Sequence, residues 1–434
     1  MNVVMIGAGY VGLVSGACFA EFGANVTCID VDLEKIEKLN NGEIPIYEPG
    51  LDELVKNNVK KNKLRFSLSK PEIIGSADLI FIAVGTPTRR GDGHADLKYV
   101  YSAAEEIAPS LDGYTVIVNK STVPVGSARE VKRIITKTNK TADFDIASNP
   151  EFLREGSAIR DFMKPDRIVI GIDSPRAQEL MTDLYRPLNI LETPIMITDL
   201  ESAELIKYAS NAFLATKISF INELSSLCEK TGADINAIAK GMGLDNRIGG
   251  KFLNTGPGYG GSCFPKDTLA LIRTAQEYGV TSRIVEAVLE VNASQKARMV
   301  AKVKDALKGS IAEKRIAILG LTFKPNTDDM RDSPSLSIIP PMIDKGASVI
   351  AHDPAGIEEA KSLLPDEMEY SHSIEDTVKD ADVLVLMTEW DVYKNMNLER
   401  ISNSMRGKIF VDLRNIFNPE EMKNKGFEYY SVGR

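Results

Sequence analysis

The sequence predicts an α/β protein: two parallel-sheet domains joined by a long central helix and a helical middle domain. Three observations predict it. Short apolar runs of strand length alternate with amphipathic helical stretches up to about residue 198, and the same alternation returns after about residue 310. Between them, an apolar stripe at helical spacing persists from Glu201 to Gly232, which suits a spine joining two domains. At 434 residues the chain is also too long for one ordinary core.

Residues 2–30 set out an apolar strand, the run Gly7-Ala8-Gly9-Tyr10-Val11-Gly12, a helix, a second strand and Asp30 at its end. This is the dinucleotide fingerprint in its expected context, so the first domain is Rossmann-like. Gly7 permits the tight turn, Gly9 lets a pyrophosphate reach the backbone, and Gly12 lets the helix pack closely; the helix N-terminus faces the phosphates. Asp30 would accept hydrogen bonds from a ribose and repel a 2′-phosphate, which favours NAD over NADP. Lys35 is placed to reach the ribose, or is simply solvated.

Further strands are expected at Asp78–Val84, Thr115–Asn119 and Phe144–Ala147, each leading into a polar or glycine-rich loop. Ligands bind beyond the carboxyl ends of such strands, so Gly85-Thr86-Pro87, Ser121-Thr122-Val123-Pro124 and Asn149–Gly156 should line one cleft. Thr122 could hydrogen-bond a reacting hydroxyl or a water, and is equally ordinary turn chemistry. Glu151 and Glu155 could manage protons in a hydrolytic step, or merely favour a helix start.

On the long helix, Lys207 and Asn211 lie four residues apart and hence on one face, a cation and an amide donor suited to clamp an oxyanion. A solvated lysine beside an incidental asparagine fits the local pattern too. A polar, glycine-rich approach (Asp245–Gly258) then leads to Gly260-Gly261-Ser262-Cys263-Phe264-Pro265-Lys266-Asp267. Pro265 and Asp267 suit the first turn of a helix expected over Thr268–Tyr278, which places Cys263 at its positive end. The helix terminus and Lys266 favour the nucleophilic thiolate. The same residues also fit a small buried cysteine beside a turn.

The last third repeats the α/β alternation, with strands in Arg315–Leu321, Ala347–Pro354, Ala381–Trp390 and Lys408–Asn415. Here Gly320-Leu321-Thr322-Phe323-Lys324-Pro325 replaces a glycine fingerprint, giving a second Rossmann-like sheet suited to a mononucleotide. Lys324, Arg331 and Arg414 are its candidate cations, although each alone is an ordinary surface charge. His94 and His352 are expected to be structural or solvated.

Composition excludes other classes. A net charge of -9, with no run of basic residues, argues against a nucleic-acid partner. No apolar run is long enough to span a bilayer and no leader pattern opens the chain, so a cytoplasmic protein without a membrane partner is expected. The four cysteines form neither a CxxC pair nor a disulfide framework, and with only three histidines no zinc or other metal site is expected.

Taken in order, GAGYVG, STVPVG, NPEFLREG, the helix with Lys207 and Asn211, GPGYGGSCFPKD and LTFKPNTDDMRDSP resemble the UDP-glucose 6-dehydrogenase family, within the UDP-glucose/GDP-mannose dehydrogenases. The resemblance covers essentially the whole chain. It implies an NAD-binding domain over 1–198, a central domain over 199–309 with the dimer interface and catalytic cysteine, and a UDP-sugar domain over 310–434. It also implies NAD as cofactor, UDP-glucose as substrate, a homodimer or higher homo-oligomer, and oxidation of a sugar primary alcohol to a carboxylate through a Cys263 thioester. By motif, Lys207 and Asn211 would steady the oxyanion, while Asp267, Thr122 and Glu151 would assist proton transfer and water. Gly7, Gly9, Tyr10, Val11, Gly12, Asp30, Lys35, Thr86, Thr122, Glu155, Lys266 and Arg331 would hold the cofactor. The sugar nucleotide would meet Phe152, Leu153, Arg154, Glu155, Lys207, Asn211, the loop Phe252-Leu253-Asn254-Thr255-Gly256, Gly260 and Lys324, with Arg247 reaching across the dimer. Alternatives are a dehydrogenase of GDP-mannose or another nucleotide sugar, a two-electron hydroxyacid dehydrogenase, and a non-catalytic NAD-binding sensor or scaffold.

Overall fold

The computed structural model describes residues 1–89 and 91–434. The chain divides into two units, Met1–Ser210 with Leu269–Gly279, and Asn211–Thr268 with Val280–Arg434. In the first unit, strands Asn2–Ile6 (β1), Asn25–Ile29 (β2), Leu64–Ser67 (β3), Leu79–Ile82 (β4), Tyr114–Asn119 (β5), Asp143–Ser148 (β6), Ile168–Ile172 (β7) and Ile195–Thr198 (β8) form one sheet. Its order is β3-β2-β1-β4-β5-β6-β7-β8. Every pairing is parallel except that of β6 with β7. The run from β3 to β6 has the dinucleotide-fold order, whose direction reverses between β1 and β4 and opens the ligand crevice there. Apolar side chains alternate between two buried layers: Leu79 and Phe81 of β4 pack on one face with Leu13, Phe19 and Phe162, Ile80 and Ile82 on the other with Val100 and Val131. Covering both faces is why these strands are apolar throughout.

In the second unit, Arg315–Leu319 (β9), Ser348–His352 (β10), Glu369–Tyr370 (β11), Val383–Leu386 (β12), Ile409–Asp412 (β13) and Glu428–Ser431 (β14) form a wholly parallel sheet. Its order, β11-β10-β9-β12-β13-β14, repeats that of the first sheet, so its crevice opens between β9 and β12. Apolar clusters again cover both faces.

The helix Leu200–Thr231 is 32 residues long, with Leu200 to Ser210 counted in the first unit and the rest in the second. The helix expected at Thr268 starts earlier, at Phe264, and ends at Glu277. Cys263 occupies its N-cap position without being a usual capping residue, which is why the sequence placed the start too late.

Candidate active site

In the first unit the turn after β1 is built as its glycines require. Gly7 has φ +101°, and a Cβ there would lie 2.7 Å from the Ala83 carbonyl oxygen. A Cβ on Gly12 would lie 1.8 Å from the Gly7 oxygen, whereas one on Gly9 would meet nothing within 4 Å. Gly7 and Gly12 therefore permit close backbone approach, and the space over Gly9 is open. Tyr10 and Val11 begin the helix Tyr10–Glu21, with Gly9 as N-cap. Asp30 accepts from the Ala8 amide at 2.9 Å and from Lys35 Nζ at 3.0 Å. Burial pushes its carboxyl up, but the donors from Lys35, Ala8 and Asp32 outweigh that and hold it below the ordinary range. An open glycine turn, a helix N-terminus and an ionised acid at the end of β2 fit the pyrophosphate and ribose of NAD.

Loops beyond the strands adjoin this turn. Thr86 donates from Oγ1 to the Thr122 carbonyl at 2.9 Å, tying two loops together. Glu48, which sequence reasoning missed, accepts from the Gly156 and Ala158 amides at 2.6 and 2.7 Å and from the Tyr10 hydroxyl. It thereby anchors the Asn149–Gly156 loop to the helix after the glycine turn. Burial and the bond to Glu48 hold the Tyr10 phenol far above its usual range, with the charge of Glu155 adding to the effect.

Glu151 and Lys207 form a buried ion pair, Nζ to Oε1 at 3.3 Å, with side-chain exposures of 7% and 3%. The other Glu151 oxygen accepts from the Leu153 amide at 2.6 Å. Phe152 lies alongside, its ring centroid 5.3 Å from Lys207 Nζ. Behind the pair, Lys120 is buried and donates to Asn149 Oδ1 at 3.0 Å and Tyr185 Oη at 3.2 Å. Burial lowers its pKa to about 8; Glu151 opposes that shift and Lys207 adds to it. Thr122 lines a cavity of about 10 Å³ with Asn119, Ser121, Ser148, Glu204 and Lys207. Arg154 is exposed and forked onto Asp161, so the structure draws it away from this group.

In the second unit Cys263 is half-buried while the other three cysteines are buried. Its carbonyl accepts the Asp267 amide at 2.8 Å, the first bond of the helix Phe264–Glu277, and Ser262 Oγ lies 3.5 Å from its sulfur. Asp267 is fully buried between Asn211 Nδ2 at 2.6 Å and Lys266 Nζ at 2.5 Å. The glycine pair is required by packing rather than by mobility. A Cβ on Gly260 would lie 2.3 Å from the Asp332 oxygen, and one on Gly261, at φ +84°, would lie 2.6 Å from the Phe323 ring. The Gly261 amide donates to the Arg331 carbonyl at 2.8 Å.

The loop Phe252 to Gly256 is likewise fixed. Phe252 adopts φ +64°, Leu253 is buried, Thr255 accepts from Asn415, and Gly256 is held by Asn222 and Gln295. Arg414 donates to the carbonyls of Met387 and Phe323 at 2.7 and 2.9 Å, spanning the mouth between β9 and β12, where Lys324 also lies. Asn254, Arg247 and Arg331 are exposed; the two arginines are forked onto their neighbours Asp245 and Asp329.

The second sheet keeps the first fingerprint glycine: Gly320, at φ +94°, donates to the His352 carbonyl as Gly7 does to that of Ile29. Asp353 then accepts from the Leu321 amide at 2.7 Å, as Asp30 does from Ala8. Asp353 is further occupied by Thr322, Ala355 and Gly356, so this sheet keeps the turn without a free acid for a second ribose. His352 is buried and bonded to Tyr393, a structural role. Among the described residues no group of three or more His, Cys, Asp or Glu could hold a metal, and no helix is long and apolar enough to cross a membrane.

Three family models match the chain: the NAD binding domain of the UDP-glucose/GDP-mannose dehydrogenase family over residues 1–189, its central domain over 201–294, and its UDP binding domain over 317–419. The UDP-glucose 6-dehydrogenase of Rhizobium meliloti is 53% identical over the full length of both chains. TuaD, a UDP-glucose 6-dehydrogenase of Bacillus subtilis, is 48% identical over 100% of this chain and 93% of its own. Among solved structures, a UDP-glucose dehydrogenase from Pyrobaculum islandicum superposes with a TM-score of 0.92 at 38% identity, covering 100% of this chain and 97% of that one.

Proposed function

The chain belongs to the UDP-glucose/GDP-mannose dehydrogenase family, and on that premise we propose that it oxidises UDP-glucose to UDP-glucuronate through a thioester on Cys263. The observation that carries this reading is the cysteine itself, half-buried at the N-cap of a helix whose first turn holds Lys266 and a buried Asp267. The 1–198, 199–309 and 310–434 division is proposed to separate NAD binding, the nucleophile and UDP-sugar binding. A cytoplasmic setting, where thiols stay reduced, suits four free cysteines.

When bound, NAD supplies the acceptor for the hydride lost in each of two oxidations. Gly7, Gly9, Tyr10, Val11, Gly12, Asp30, Lys35 and Thr86 would hold it, with Glu155, Lys266 and Arg331 assigned as further contacts. Cys263 adds as thiolate to the C6 aldehyde left by the first oxidation, giving a thiohemiacetal. Its oxidation leaves a thioester; water adds to the carbonyl, the carbon–sulfur bond breaks, and carboxylate and thiolate separate. Lys207 and Asn211 are the proposed donors to the developing oxyanion. Asp267, Thr122 and Glu151 are the proposed proton and water handlers. The sugar nucleotide is assigned to Phe152 through Glu155, Phe252 through Gly256, Gly260 and Lys324.

Limiting UDP-glucose with excess NAD tests the reading by counting NADH. Two per sugar, with UDP-glucuronate as product, is expected. One per sugar would make this a two-electron enzyme, and none would redirect the search to GDP-mannose and other nucleotide sugars.

Asp30→Ala is expected to raise the KM for NAD about tenfold and to admit NADP, because an anion facing the 2′ position is lost. Initial rates with both cofactors check it; an unchanged preference would show that the ribose lies elsewhere.

The chain is further proposed to self-associate through the long helix. Phe213, Phe220 and Leu227 recur every seventh residue and are 65%, 47% and 58% exposed, an apolar stripe that a second copy would cover. Arg247 would be offered to that copy. Sedimentation velocity is expected to show a dimer or larger, and a lone monomer would sink the proposal.

A further inference from the structure

Glu204 is a buried carboxylate that the mechanism above does not use, 3% exposed and one turn before Lys207 on the long helix. Its two oxygens accept from the Gly126 amide at 2.7 Å and the Ala128 amide at 2.8 Å, and Ser148 Oγ lies 3.5 Å away. Those amides close the segment that begins at Ser121 and Thr122, with Gly126 at φ +92°. Thr122, Glu204 and Lys207 share the walls of the same small cavity, about 10 Å³, room for about one water. Asn119 also lines it, and neither atom of its buried amide has a protein partner among the described residues. From these contacts we infer that Glu204 is a positioning residue for the oxidation: its ionised carboxylate pins the Thr122 loop to the helix that carries Lys207.

Two backbone donors need two acceptor oxygens, and a protonated or amidated side chain turns one acceptor into a donor that faces an N–H. Burial raises the Glu204 carboxyl to about 7, the charge of Glu201 adds to that, and the two amides and Ser148 draw it back. Ionisable groups on the packed elements include Lys207 on its own helix, Arg129, Glu130 and Arg133 on Ser127–Thr138, Tyr101 on Lys98–Ile107, and Asp173 after β7. Arg129 is engaged by Asp173 and Glu201, and Arg133 by Glu130. Protonation as pH falls through neutrality therefore replaces one carboxylate acceptor with a donor at the two amides.

The inference rests on the proposed reaction, so one assay with turnover and one without are needed. Under saturating NAD and UDP-glucose, kcat of the unaltered protein should fall on an acid limb near neutral pH. Glu204→Gln should lower kcat about tenfold above that limb, leave KM within about twofold, and abolish the limb. Ser148→Ala, which removes a donor without enlarging the side chain, should move the limb to higher pH. Hydrogen exchange over residues 121–131, measured above that limb, should be faster in Glu204→Gln than in the unaltered protein. A limb unmoved in both variants, or exchange unchanged by the substitution, overturns the clamp. Exchange that rises with the substitution in a protein inactive on UDP-glucose would uphold the clamp and reject the proposed substrate.

Discussion

Cys263→Ser is expected to stop net formation of acid, lowering the rate of UDP-glucuronate production by ~10³-fold or more. That loss corresponds to about 4 kcal/mol of barrier. The substitution changes one atom in a half-buried position and leaves the Asp267 amide bonded to the carbonyl at 263, so the helix start should survive. What changes is nucleophilicity. A helix N-terminus favours thiolate over thiol, while a serine hydroxyl at the same place needs a general base to lose its proton. At most one NADH per sugar should then appear, with aldehyde or its hydrate accumulating, and mass spectrometry should find no acyl adduct. Two NADH per sugar at an undiminished rate would rule out covalent catalysis. Alkylation gives an independent reading on the unaltered protein. Cys18 and Cys28 are buried, with thiols pushed by burial to about 12, and Cys228 is buried as well. Iodoacetamide should label Cys263 first, and UDP-glucose should slow that labelling; labelling of another cysteine ahead of it would count against the assignment.

The parts of this site that were legible in the sequence are those where short-range geometry forces residue type. Gly7 and Gly12 can be nothing else, because a Cβ at either would strike backbone, and Asp30 follows them at the spacing a βαβ turn sets. The long helix was legible for the same reason: a periodic stripe is a local property. Contacts across great sequence separation were not. Glu48 reaches residues 156 and 158, and Glu204 reaches 126 and 128. In the linear pattern each is one more acid among solvated ones. The antiparallel pairing of β7 was equally silent, since Ile168–Ile172 is buried at every position and an apolar run carries no sign of direction. The second sheet's turn was half-legible: Gly320 stood in the sequence, but without the later glycines its kinship to Gly7 appears only in the hydrogen bonds.

Lys207→Ala should cost both stability and rate, and the two costs can be separated. In the folded protein the lysine faces Glu151 at 3.3 Å with almost no solvent on either group. Breaking a buried pair by removing one partner costs about 3–5 kcal/mol, more than the pair itself contributes, because a desolvated charge is left behind. Here two responses reduce the cost: Glu151 can take up a proton, and Lys120, relieved of Lys207's repulsion, becomes easier to charge. A loss of about 2–3 kcal/mol in urea unfolding is therefore expected. For the rate, removing the cation proposed to meet the developing oxyanion in a water-poor site should lower kcat by about 10²–10³-fold. The double variant Lys207→Met with Glu151→Gln carries neither charge, so it should recover most of the stability and none of the rate. Should that variant regain kcat along with its stability, Lys207 would be holding the fold rather than the oxyanion. If Lys207→Ala itself turns over near the unaltered rate, the donor must be sought elsewhere, with Asn211 the next residue to replace.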